Sequence, residues 1–313
     1  MEATRGFREY RWEFGLAIAG IVLIHYFVFQ RAFSGPQIDA ENASQFGQFI
    51  GGYVGSIFGL GTVILLISTL RRQIAQNRNE GFEKRFFQLL DYHRENVAEI
   101  GVGRRSGRRT FVTLIREFRA TLEIVKTACG QHQTSLTPIE LINLTYMAFY
   151  YGTGPNSTRV LISSVETIDR PLLDRVVKML EQADKRRIQI DLKLAYLPFE
   201  GHQSRLGHYF RHLYQMVCYV DDHAKERAQE FAGLLRAQLS NHEQALLCLN
   251  SLSTIGAAWK TRGLIVRHHM IKNIPKDFFN PNTELDVPSV YPEVEFEYKT
   301  HTREQREPNR DIA

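Results

Sequence analysis

The longest apolar run of the chain is residues 45–70, QFGQFIGGYVGSIFGLGTVILLISTL, and no charged side chain falls between Ala43 and Leu70. A hydrocarbon core ~30 Å thick is crossed by about 20 helical residues, so the run predicts a membrane-spanning helix over 46–70 with length left for tilt. An earlier run, FGLAIAGIVLIHYFVFQ, is uncharged from Phe14 to Gln30 and has Trp12 at one end as an interfacial anchor. It predicts a first span over 12–31. A cleaved signal peptide is the competing reading. Against it stand the missing small-x-small site, the aromatic end of the run and the second span close behind. Residues 32–45, with a Ser-Gly-Pro turn, then form the loop of a two-helix hairpin.

Beyond Leu70 the apolar positions recur at helical spacing. Phe82, Phe86, Leu89, Leu90, His93 and Val97 lie on one face over 81–100, as a continuation of the second span. Phe111, Leu114, Ile115, Phe118, Leu122 and Val125 share a face over 110–129. Thr137-Pro138-Ile139-Glu140 reads as a capping box with proline in the first turn, and Pro171 opens a helix carrying Leu172, Leu173, Val176, Val177 and Leu180. Leu206, Phe210, Leu213, Val217 and Val220 form a stripe over 204–220, and Ser240 to Glu243 is a second capping box. A last helix is expected over 259–271. Ile188, Ile190, Leu192, Leu194 and Tyr196 alternate strictly, which is a strand period; a small ribbon with Val294, Phe296 and Tyr298 is the pairing it suggests. The fold class is all-α: a transmembrane hairpin, a helical domain over 71–274 and, past Pro275, a flexible tail over 275–313 rich in proline and charge.

Charge sets the orientation. Arg5, Arg8 and Arg11 precede the first span, and Arg71, Arg72, Arg78, Lys84 and Arg85 follow the second, while the loop holds only Arg31. The positive-inside rule puts residues 1–11 and the helical domain in the cytoplasm, which implies a multi-pass membrane protein. The net charge of +5 permits contact with anionic lipid or nucleic acid without requiring it. Cys129, Cys218 and Cys248 are odd in number and far apart, so they read as reduced core residues.

Four groups of residues carry candidate chemistry. Gly47, Gly51, Gly55 and Gly59 recur every fourth residue in the second span and leave a bare strip for close helix packing, either in a homo-oligomer or against Ala17 and Gly20 of the same hairpin. Arg104, Arg105, Arg108 and Arg109, set among glycines, form either an anion-binding loop or a solvated basic turn. His208, Arg211 and His212 flank the stripe of 204–220. The His spacing suits a metal, but no HExxH glutamate or third ligand accompanies it, so polar anchoring of a helix bundle is the preferred reading and no metal is assigned. Arg236 and His242 fit the loose Arg–His spacing of HEPN-type ribonucleases, but Ala237 stands where those enzymes carry a polar residue, so His242 is read first as part of a helix cap. No phosphate loop, nucleophile–base pair or carboxylate pair is present, and neither a catalytic residue nor a cofactor is assigned.

FFQLLDYHRENV after the apolar segment, then LGHYFRHLYQMVCYVDD and LLRAQLSNHEQALLCLNSL, resemble the putative phage abortive infection proteins, a bacterial family. The resemblance runs from about Phe82 to Leu252. It implies a membrane effector of an anti-phage system that disrupts the inner membrane of an infected cell. Similar two-span proteins serve as effectors of anti-phage retrons, which would make a reverse transcriptase with its RNA–DNA hybrid a partner beside membrane lipid. A membrane-anchored ribonuclease toxin using Arg236 and His242, or a membrane scaffold for another defence protein, is the alternative.

Overall fold

A computed structural model describes residues 40–102, 105–165 and 167–299, together with Ala19, Gly20, Val22, Leu23, His25 and Tyr26, which are helical. Most of the first span expected at 12–31 and most of the loop expected at 32–45 lie outside the described residues. The chain divides into two compact units, residues 1–80 and 81–313.

In the first unit, helix α1 (Ala40–Phe49) passes through one π-helical turn (Ile50–Val54) into α2 (Gly55–Glu99). Within the described residues the chain is already helical at Ala40, inside the expected loop. Among the described residues one helix, Ala40–Glu99, is long and apolar enough to cross a membrane, and none of its most apolar window is covered by protein. The hydroxyls of Thr62, Ser68 and Thr69 donate to carbonyls one turn back, at Phe58 and Leu65, so the helix satisfies its own polar side chains.

The second unit is a helical assembly around two apolar clusters. The lower part of α2 buries Phe86, Leu90, His93 and Val97 on the face that the spacing predicts. A ribbon of two-residue strands, β1 (Gly101–Val102) and β2 (Arg105–Ser106), pairs antiparallel with Gly101 opposite Ser106. Helix α3 (Arg108–His132) buries all six of its predicted apolar residues and packs against α4 (Pro138–Tyr151), α6 (Arg170–Gln182) and α10 (Asn241–Ser251). Both capping boxes form: Thr137 and Glu140 close the start of α4, and Ser240 and Glu243 close the start of α10. Between these lie α5 (Ser157–Ser164), α8 (Gln203–His223) and α9 (Ala228–Arg236). The larger cluster joins α2, α3, α4, α8, α9 and α10; the smaller one lies under α5 and α6 around Leu161, Leu172 and Val176. All three cysteines are free and buried.

Three expectations are overturned. The alternating stretch at 188–196 is not a strand: α7 (Lys185–Asp191) is helical, capped by the Asp184 side chain accepting from Arg187 N. A strand needs a neighbour for its backbone groups, whereas a helix satisfies them internally. Ile190 is left 73% exposed as the consequence. The helix expected over 259–271 breaks into α11 (Ala257–Thr261) and α12 (Leu264–Arg267), because Gly263 adopts a left-handed conformation at φ 65°. The segment from Pro275 to Lys299 is not a flexible tail. It includes α13 (Val287–Val290) and buries Phe279, Leu285, Tyr291, Val294 and Phe296 in the larger cluster.

Candidate functional site: a cleft beside helix α8

Helix α8 begins where two backbones cross. Gly152 after α4 and Gly201 before α8 both hold positive φ, at 71° and 85°. A Cβ on Gly201 would come within 2.2 Å of the Tyr151 carbonyl oxygen. The crossing is closed by His202 N donating to Tyr150 O at 2.7 Å and Thr153 N donating to Phe199 O at 2.9 Å.

Below it, the carboxylate of Glu117 from α3 is fully buried and collects three donors. Phe199 N reaches Oε1 at 2.7 Å, His202 Nε2 reaches Oε2 at 2.8 Å, and the Tyr196 hydroxyl donates to Oε2. Arg205 Nη1 lies 3.5 Å from His202 Nδ1. Burial, then the Glu117 charge, pushes the Tyr196 phenol far above its ordinary range, so it remains a proton donor to that carboxylate.

On the outer side of α8 opens a cleft of about 470 Å³. One wall is α8 itself, with Gly207, Phe210, Arg211 and Tyr214; Tyr150 of α4, Asn250 of α10 and the 255–259 segment with Trp259 complete it. Gly256 presses against α10 so closely that a Cβ there would meet Asn250 O at 1.9 Å. Near the far end of α8, Asp221 receives Arg267 Nη1 at 2.7 Å and His268 Nε2 at 2.8 Å. Burial pushes the Asp221 carboxyl up, but the bonds from Arg267 and His268 outweigh it and hold it below the usual carboxylate range.

Residues 201–279 match the family model described as putative phage abortive infection protein. The matched abortive infection segment runs from the glycine crossing through α8, α9, α10, α11 and α12, and supplies every wall of the cleft except Tyr150. It starts later and ends later than the resemblance read from the motifs. No curated protein and no solved structure matches the chain.

The predicted residues fall into place unevenly. Gly47, Gly51 and Gly59 meet nothing within 4 Å, and Gly55 is exposed. The π turn at Ile50–Val54 interrupts their register, since a chain closed by i→i+5 bonds turns less per residue than an α-helix. Gly55 and Gly59 are thus offset around the helix from Gly47 rather than directly in line with it. Of the four arginines, Arg104 lies outside the described residues and Arg105 begins β2. Arg109 is exposed, while Arg108 donates to Gln238 O at 2.8 Å and sits 3.8 Å from Glu243, so its anion is internal. His208 pairs with Asn96 Oδ1 at 3.2 Å and His212 with Leu89 O at 3.0 Å: both imidazoles hold α8 to α2.

Arg236 and His242 face different neighbours. Arg236 donates to the carbonyls of His268 and His269. The His242 ring meets Phe278 edge-on at 5.1 Å. Burial, with Arg119 and Arg116 nearby, lowers the His242 pKa.

His93 stands out on α2. It is 1% exposed, neither ring nitrogen has a hydrogen-bond partner, and the ring stacks on His212 and tilts against Tyr209. Burial, with the charges of His212 and Arg108, lowers its pKa to about 4. Between an unfolded value near ~6.5 and that folded value, only the unfolded chain takes up the proton, so stability falls as pH drops through this window and the loss is complete below it. The span corresponds to about 3 kcal/mol. Urea midpoints measured across this range should fall for the wild-type chain and fall much less for His93→Phe. Parallel pH profiles for the two would show that His93 does not carry the acid sensitivity.

Proposed function

We propose that this chain is a membrane effector of phage abortive infection that disrupts the inner membrane of the infected cell when activated. The observation carrying this reading is that an uncovered apolar helix with open glycine positions precedes, in one chain, the segment matched by the abortive infection family. Roughly 40 Å of helix without charge, from 43 to 70, exceeds what one hydrocarbon core requires. Without Cβ atoms in the strip, two copies can bring their backbones together, which lipid-embedded helices need for tight association. Activated copies pack through this strip, and the cytoplasmic unit controls when they do so.

The test is induction of the chain alone in a bacterial host, following membrane potential with a dye beside bulk RNA integrity. Early depolarisation with intact RNA is expected. Gly51→Leu and Gly55→Leu should abolish it at unchanged protein level, since a leucine holds the helices apart. RNA decay ahead of depolarisation, lost in His242→Ala, would instead favour a membrane-anchored ribonuclease and overturn the membrane reading.

A further inference from the structure

We infer that the cleft beside α8 binds a small planar organic anion of the nucleoside monophosphate class. The inference stands apart from the membrane reading, since binding here can be measured whether or not the chain depolarises a cell. At about 470 Å³ the cleft lies within the size range of small-molecule sites.

Its lining holds two kinds of group. Arg211 is exposed and uses Nε to donate to Gly207 O, within its own helix, at 3.0 Å. Its Nη atoms make no hydrogen bond among the described residues. A guanidinium with a free fork matches phosphate or carboxylate oxygens two at a time. Beside it, the Tyr150 hydroxyl also makes no hydrogen bond among the described residues, although Tyr150 is only 8% exposed. A Cβ on Gly207 would lie 2.7 Å from that hydroxyl oxygen, so the phenol tip sits directly over the glycine at the cleft wall. A hydroxyl that solvent reaches at the cleft wall and a charged fork next to it can both be taken by one incoming anion.

The second kind is apolar and aromatic: Phe210 and Ile255 line the cleft, and Tyr214 meets Trp259 edge-on at 5.1 Å. Gln203 and Gln215 stand among the lining residues, and a primary amide both donates and accepts, as the edge of a nucleobase does. No Asp or Glu lines the cleft among the described residues, so Arg211 sets its charge and a cation gains nothing there. An inorganic anion would leave the aromatic side chains uncovered, and an uncharged ring would leave the guanidinium unpaired. One molecule with both parts satisfies the site.

The chain contains two tryptophans, so Trp12→Phe leaves Trp259 in the cleft wall as sole reporter. This full-length protein in detergent is titrated with AMP, adenosine and inorganic phosphate, reading fluorescence and, independently, equilibrium dialysis of labelled AMP. Saturable binding of AMP is expected, with adenosine and phosphate each weaker by about tenfold or more. Arg211→Gln should weaken AMP by a similar factor without moving the unfolding midpoint, because the side chain is exposed and bonds only within α8. Tyr150→Phe should weaken it less. Absence of saturable AMP binding in both assays, equal binding of adenosine or phosphate, or unchanged AMP affinity in Arg211→Gln would each overturn the inference.

Discussion

Replacing Glu117 by leucine should lower the unfolding free energy by about 3–5 kcal/mol, among the largest losses that one side chain in this fold can produce. The carboxylate lies at the centre of α3 with no exposed surface, and it is the common acceptor for Tyr196, Phe199 N and His202. Leucine fills a similar volume but leaves three donors buried without an acceptor, and each orphaned donor bears its own desolvation cost. Glu117→Gln should cost less: its oxygen still accepts from Phe199 N, but its amide N–H groups oppose the Tyr196 and His202 donors. Urea unfolding of the full chain, followed by circular dichroism, measures both. The pairing also predicts strong non-additivity. Glu117→Leu combined with His202→Phe should lose less than the two single losses summed, because the second change removes a donor that the first one orphans. Additive losses, or a Glu117→Leu chain within about 1 kcal/mol of wild type, would show that the cluster is incidental to stability.

Much of this fold was legible because its helices carry both an apolar face and a chemical start signal. The six apolar residues of α3, the two capping boxes and the proline start of α6 announced their elements, and their neighbours in space then buried the predicted faces. Glu117 shows where that reading stopped. It falls at helical spacing between Leu114 and Thr121, on the buried face of α3, and a carboxylate in that register signals an internal partner. Its partners lie some eighty residues away, and the alternation that ends at Tyr196 pointed to a strand rather than to a loop closing on α3, so the cluster could not be assembled from spacing. The cleft was hidden for the same reason: Arg211 was noticed as part of a motif, but Tyr150 and Trp259 join it only through tertiary packing.

The errors have local causes. At 188–196 the alternation of apolar residues was real, but no second strand was available, and Asp184 supplied a helix cap instead. In the 275–299 segment, proline and charge outweighed Phe279, Tyr291 and Phe296 in the reading, although those three rings carry enough apolar surface to hold an irregular chain on the core. Gly263 ended a helix within a periodic stretch because glycine alone takes a left-handed conformation without strain.

Gly201→Ala should be the second severe substitution, costing about 3 kcal/mol or more. Two penalties combine. At φ 85° an alanine is strained before any contact is considered, and its Cβ would stand 2.2 Å from Tyr151 O and 2.9 Å from Gly152 N, which are backbone atoms that cannot rotate away. The crossing must therefore open, breaking the bonds from His202 N to Tyr150 O and from Thr153 N to Phe199 O. Opening it also draws His202 from Glu117 and displaces the start of α8, which forms one wall of the cleft. The matched control is Gly130→Ala in the last turns of α3, where a new Cβ meets nothing within 4 Å and φ is not positive. There the same methyl group should stabilise by up to ~1 kcal/mol, by lowering the entropy of the unfolded chain. Urea midpoints for the two variants should thus move in opposite directions from wild type. A Gly201→Ala midpoint near that of Gly130→Ala would mean that the two backbones do not cross at this distance, and that some other contact fixes the start of α8.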